Sequence, residues 1–199
     1  MCIRDRGRIG EQAFDQKFTL VDEGRLPYGP SSRSFDDEGV PTSRLPLAEE
    51  GVVKNFFFDL RAAALADADP TGSGIRGGML GGGGFRTPPS PSMRNIVIKP
   101  GQGSLDELIA EMGDGIVVVD VLGLGQGNVQ SGAFSNNVGV GFVVKDGKVK
   151  GRLKNTMIAG NVYQVLKDGL VAIGGEPEWV YGLAHVPPIL VEGVSVVSR

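Results

Sequence analysis

The stretch Gly123–Leu153, GLGQGNVQSGAFSNNVGVGFVVKDGKVKGRL, decides the fold. Gly139–Lys145 and Lys148–Leu153 flank Asp146-Gly147. Asp-Gly supplies the two positive-φ positions of a tight type I′ turn, so this spacing predicts a β-hairpin. The segment before it, Gly127–Ser135, is small and polar. Gly127, Asn128, Ser131, Gly132 and Ser135 are its candidate ligand-contacting residues. Glycine there permits close backbone approach of an extended ligand. A plain surface loop has the same composition.

Working outward, 199 residues make one domain, or one domain with an arm. The 32 glycines oppose a helical bundle and favour a turn-rich β architecture. A net charge of −3 excludes a broad basic surface for nucleic acid. One cysteine, Cys2, permits no internal disulfide and suits a reducing, cytoplasmic setting. No apolar run is long enough to span a bilayer, so no membrane partner is expected. Residues 1–6, MCIRDR, look like a translated adapter scar, and the natural protein is expected to begin further upstream.

Lys17–Val21 reads as a strand, and Gly51–Asp59 as a β-rich run. Leu60–Ala68 has strong helix propensity and stops at Pro70. Thr71–Pro91 is rich in glycine and proline and reads as a flexible linker. Its Gly72-Ser-Gly74-Ile-Arg-Gly77 matches a dinucleotide fingerprint by letter, but it follows a helix where a strand is required. Asn95–Lys99 is a strand. Ser104-Leu-Asp-Glu107 is a capping box opening a helix to Met112, with Leu105, Leu108, Ile109 and Met112 as its core face. Gly115–Leu122 reads as a buried strand. Arg152–Met157 continues the hairpin. Asn161 caps a helix to Leu170 with Val162, Val165 and Leu166 inward. Glu176–Pro188 reads as a loop and Ile189–Val197 as a final strand. The fold class is α+β: a β-rich antiparallel sandwich or open barrel with two or three short helices. Residues 7–94 form a central-region remnant and 95–199 a C-terminal β-rich domain.

Chemistry is sparse. A zinc site draws on several His, Cys or carboxylate ligands, and this chain has one His and one Cys. His185 is either a lone metal ligand completing a site built elsewhere or a hydrogen-bonded loop histidine. Asp36, Asp37 and Glu38 are either a divalent-cation cluster or a solvated acidic turn.

Five stretches in order carry a resemblance: FDDEGVPT (Phe35–Thr42), TGSG leading to MRNIVIKPG (Thr71–Gly101), Asp114–Val149, NTMIAGNVYQVLKDGLVAIGGE (Asn155–Glu176) and PPILVEGVSV (Pro187–Val196). Together they resemble the C-terminal part of the TldD/PmbA family, the modulator-of-gyrase-type zinc metallopeptidases. The resemblance implies a subunit acting on unfolded or extended peptides and pairing as a homo- or heterodimer around an internal cavity. It also implies zinc held by a His-Glu-x-x-x-His helix and a Cys near the C-terminus. That helix would lie before residue 7, and the loop Tyr181–Pro188, YGLAHVPP, has His185 near where the Cys would fall. The zinc is therefore not expected on these residues alone. The alternative is a non-catalytic PmbA-like partner that assembles with a catalytic TldD-like chain.

Overall fold

The structure, a computed structural model, describes residues 8–77, 84–123 and 130–198. In chain order its first elements are β1 (Leu20–Glu23), β2 (Arg44–Glu49), β3 (Val52–Val53), α1 (Leu60–Ala66), β4 (Gly74–Ile75), β5 (Ser90–Pro91) and β6 (Ile96–Ile98). Then come α2 (Leu105–Met112), β7 (Gly115–Leu122), β8 (Ala133–Lys145), β9 (Lys148–Arg152), β10 (Thr156–Asn161) and α3 (Val162–Asp168). The last are β11 (Leu170–Ile173), β12 (Glu178–Val180), β13 (Ala184–Val186), β14 (Ile189–Val191) and β15 (Ser195–Ser198). The class is α+β, with open and mostly antiparallel sheets.

Two compact units divide these elements. Unit 1 is residues 1–99 with 178–186, and unit 2 is 100–177 with 187–199. Unit 1 holds a six-stranded sheet in the order β12-β13-β6-β1-β2-β3, with one parallel pair, β13 and β6. Its apolar core includes Phe18, Val21, Leu45 and Ala48, with Ala63 and Ala66 of α1. Unit 2 holds a five-stranded sheet in the order β15-β10-β8-β7, with β9 also on β8. Strand β8 is its spine: β7 runs along one edge, while β10 and β9 share the other. Leu108 and Ile109 of α2 join Val144, Leu170 and Ile173 in its core.

Local chemistry explains the elements that form as expected. Asp146 and Gly147 take φ of 50° and 67°, and the β8–β9 hairpin closes across them. Both capping-box bonds of α2 are present between Ser104 and Glu107.

Elsewhere neighbours override the local pattern. Leu105 lies on the exposed side of α2. β7 is an edge strand with no buried residue, and Val118, Val119 and Leu122 are exposed. The second hairpin strand ends at Arg152, and β10 begins as a separate strand at Thr156. No residue of α3 is buried, Val162, Val165 and Leu166 included. Glu176–Pro188 contains a hairpin, β12–β13, turning on Tyr181-Gly182 at φ of 51° and 65°. The final strand breaks at Gly193, φ 78°, into β14 and β15, which join different sheets. The glycine-rich linker is pinned at its ends, where β4 pairs β5 and Ser73 is buried; residues 78–83 lie outside the described residues.

Beneath the sheet of unit 1 lies a polar node. Asp22 Oδ1 accepts from the backbone N–H groups of Arg94 (3.0 Å) and Asn95 (2.9 Å). The Asn95 side chain accepts from Ser31 N–H and donates to Glu23 O and Ser32 Oγ. The buried Arg94 guanidinium donates to Gly72 O, while its Nε has no partner. Burial pushes the Asp22 carboxyl up to about 6 from 3.8, against its two backbone bonds and the Arg94 charge. Burial also lowers the Arg94 guanidinium.

The sign for Asp22 follows from linkage. A carboxyl raised in the folded state binds more protons folded than unfolded through the window from 3.8 to about 6. Its contribution to stability is therefore present below that window and falls as pH rises through it, by up to about 3 kcal/mol. Urea midpoints measured from pH 4 to 7 should fall less steeply in Asp22→Asn than in the parent chain. Identical slopes would remove Asp22 as the source.

Candidate functional site

Loop residues Gly127 and Asn128 lie outside the described residues. Of the remaining three, Ser131 and Gly132 are held at the start of α3. Asn161 Nδ2 donates to Ser131 O at 2.7 Å, while its Oδ1 accepts from Tyr163 and Gln164 N–H. One side chain thus caps the helix and ties the loop to it. Gly132 is buried at φ 73°, and a Cβ there would meet the Tyr163 ring at 2.4 Å. Its carbonyl accepts Val162 N–H. Glycine is required at 132 by packing as well as by φ.

Ser135 stands on β8, pairing with Ala159, and its Oγ lies 3.6 Å from Met157 Sδ. The register places Leu122, Asn137, Met157 and Val197 in one row across four strands, on the face that Ser135 shares. Leu122, Met157 and Val197 are all exposed. The outer edge of β7 has no strand partner among the described residues. Val119 is skipped in its ladder to β8, a bulge beside that edge. An edge strand of eight residues offers main-chain donors and acceptors to another extended chain.

His185 sits in β13, directly across from Trp179 of β12, with ring centroids 5.0 Å apart. Sequence reasoning missed this hairpin. The available signal was Tyr181-Gly182 between two short apolar runs. Among the described residues, no group of three or more His, Cys, Asp or Glu side chains is placed to hold a metal. His185 therefore has no complete ligand set around it among the described residues.

The acidic run serves structure instead. Asp36 accepts from Glu38, Val40 and Gly74 N–H. Asp37 accepts from Arg76 N–H and from the Arg33 guanidinium. Glu38 Oε2 accepts the Leu60 N–H at the start of α1. Asp36 and Asp37 hold the 74–76 segment onto the turn and Glu38 holds the start of α1, and the three are not grouped to hold one ion.

Open, mostly antiparallel sheets with three short α-helices among the described residues define an α+β domain. Comparison gives the particular family. Residues 4–198 match the family model described as the PmbA/TldA metallopeptidase C-terminal domain. The chain belongs to the TldD/PmbA family and represents its C-terminal part. It is 30% identical over 159 residues to a metalloprotease TldD homolog of Buchnera aphidicola, covering 80% of this chain and 32% of that protein. A metalloprotease of Archaeoglobus fulgidus is 30% identical over 177 residues, covering 87% of this chain and 38% of that one. TldE from Thermococcus kodakarensis matches with a TM-score of 0.83 at 29% identity, over 98% of this chain and 42% of that one. A candidate modulator of a DNA gyrase from Thermotoga maritima matches at 0.84 and 31%, over 97% and 42%. The chain spans roughly a third of the length of the two metalloproteases. No helix among the described residues is long and apolar enough to cross a membrane.

Asn161→Ala should cost about 1–2 kcal/mol, because it removes a helix cap and the Ser131 tether together. Urea unfolding reads the loss. Hydrogen exchange should quicken at the Tyr163 and Gln164 amides, and unchanged exchange there would contradict the tether.

Proposed function

We propose that this chain is the C-terminal part of a metallopeptidase subunit that acts on unfolded or extended peptides. The observation that carries the reading is the outer edge of β7, which has no strand partner among the described residues. A peptide in β conformation adds to such an edge through main-chain hydrogen bonds, which are indifferent to its side chains. Ser131 and Ser135 offer hydroxyls, and Gly127, Asn128 and Gly132 join them as candidate peptide contacts. The subunit works in the cytoplasm and assembles with a second TldD/PmbA-like subunit, as a homo- or heterodimer. Zinc belongs to the whole protein, with His185 as one ligand and the others supplied from outside the described residues.

A second reading keeps the same peptide edge but assigns catalysis to the partner. It is favoured by the placement of His185, whose ring packs against Trp179, and by the lack of any group of three or more metal-ligating side chains among the described residues.

Binding of a fluorescent unstructured peptide tests the shared part. Scrambling its sequence should change affinity less than about threefold, whereas N-methylating alternate backbone amides should weaken it at least tenfold. Val119→Pro, placed at the bulge where the ladder is already interrupted, should weaken it similarly. Binding that follows side chains and ignores N-methylation would sink the strand-addition reading.

His185→Ala in the whole protein separates the two readings. Metal analysis should show a fall in zinc stoichiometry under the first, and unchanged zinc would leave His185 a packing partner of Trp179.

A further inference from the structure

The sheet of unit 2 has a second open edge, and its chemistry is unlike that of β7. β9 pairs with β8 on one side and has no strand partner on the other among the described residues. All five of its residues are exposed. The segment 145–154, KDGKVKGRLK, holds five of the chain's 20 basic residues, Lys145, Lys148, Lys150, Arg152 and Lys154, against one acidic residue, Asp146. The chain as a whole carries a net charge of −3, so this strand is a local reversal of its sign.

These cations are left unpaired. All five residues are exposed, and none has an ion-pair partner within 4 Å among the described residues. The neighbouring carboxylates do not neutralise them. Asp114 accepts Asp146 N–H at 2.9 Å, and Glu107 is taken up by the capping box of α2. Asp106, Glu111 and Asp146 make no ion pair with the strand. The register also sets Lys145 directly opposite Lys148. Like charges in that position weaken a hairpin. Lys150 is skipped in the ladder to β8, a bulge between Val149 and Gly151.

Lysines and a bulge on an edge strand discourage pairing with a neutral or basic strand. They do not discourage an acidic one. Carboxylates laid along β9 would relieve the opposition of Lys145 and Lys148 and meet Lys150 and Arg152. The outer main chain of β9 is open to ladder hydrogen bonds from the same segment. A nucleic-acid strand would gain the charge contacts alone, because β9 carries no aromatic side chain on which a base could stack.

We propose that the outer edge of β9 docks an acidic polypeptide segment in extended conformation. Its carboxylates pair with Lys145, Lys148, Lys150 and Arg152, and its main chain adds to the sheet beside β9. The site rests on the charge and register of β9 and does not depend on the peptidase reading.

Fluorescence anisotropy of a labelled decapeptide alternating Glu and Thr, titrated with the 199-residue chain, tests it. Excess unlabelled peptide with Gln in place of Glu is present throughout and occupies any edge indifferent to side chains, β7 included. Saturable binding of the acidic peptide is expected. Lys148→Gln and Lys150→Gln together should weaken it about tenfold, with far-UV circular dichroism unchanged. N-methylating alternate amides of the acidic peptide should weaken it similarly. A thymidine decanucleotide and phosphatidylserine vesicles should each displace it less readily than unlabelled acidic peptide does. No saturable binding, indifference to the double substitution or to N-methylation, or readier displacement by the nucleotide or the vesicles would each overturn the site. Failure of neutral-peptide binding at β7 bears only on the peptidase reading, so the two readings fail separately.

Discussion

Unit 1 depends on a carboxylate buried beneath its own sheet. Asp22 accepts two consecutive backbone N–H groups, from Arg94 and Asn95, across 72 and 73 residues of chain. Those amides lie just before β6, so the bonds fix where β6 meets β1. Asn95 then carries the link to the 31–32 loop, and Arg94 carries it to Gly72. Losing the carboxylate would strand two buried donors, each costing about 1–3 kcal/mol. The node's retained charge is expensive in a dry interior, which is why the Asp22 carboxyl sits so far above its ordinary range. A polar core of this kind specifies one arrangement of distant segments, where an apolar core tolerates several.

The elements legible in the sequence were those whose signal is complete within a few residues. Asp146-Gly147 needs no distant partner to define a type I′ turn, and Ser104 with Glu107 closes its own capping box. The misread elements depend on what lies beside them. Tyr181-Gly182 takes two left-handed positions without the usual Asn or Asp, and β13 is held by its parallel partner β6. The run GIVVVDVL reads as buried, but nothing pairs with one side of it among the described residues. VEGVSVV reads as one strand, and only Gly193 with its positive φ divides it between two sheets.

The candidate site was legible in part for the same reason. Gly132 is required where sequence placed a close approach, but the group that approaches is the Tyr163 ring of the same chain. Asp36, Asp37 and Glu38 share the composition of a cation site. Their partners, the N–H groups of residues 38, 40, 60, 74 and 76, belong to segments whose nearness no local pattern announces.

Unit 2 follows a different logic. Its helix α3 buries none of its residues, and β15 is exposed along its length. Leu122, Met157 and Val197 form an exposed apolar row on the face of Ser135. Each side chain of that size forgoes about 1.5–3 kcal/mol of burial when left in water. Apolar rows left outward on a sheet are the kind of surface that another chain covers. The open face and the open β7 edge belong to the same sheet, so covering one and extending the other are both available to it. One sheet of this chain thus leaves both an apolar face in water and, among the described residues, a strand edge without a partner.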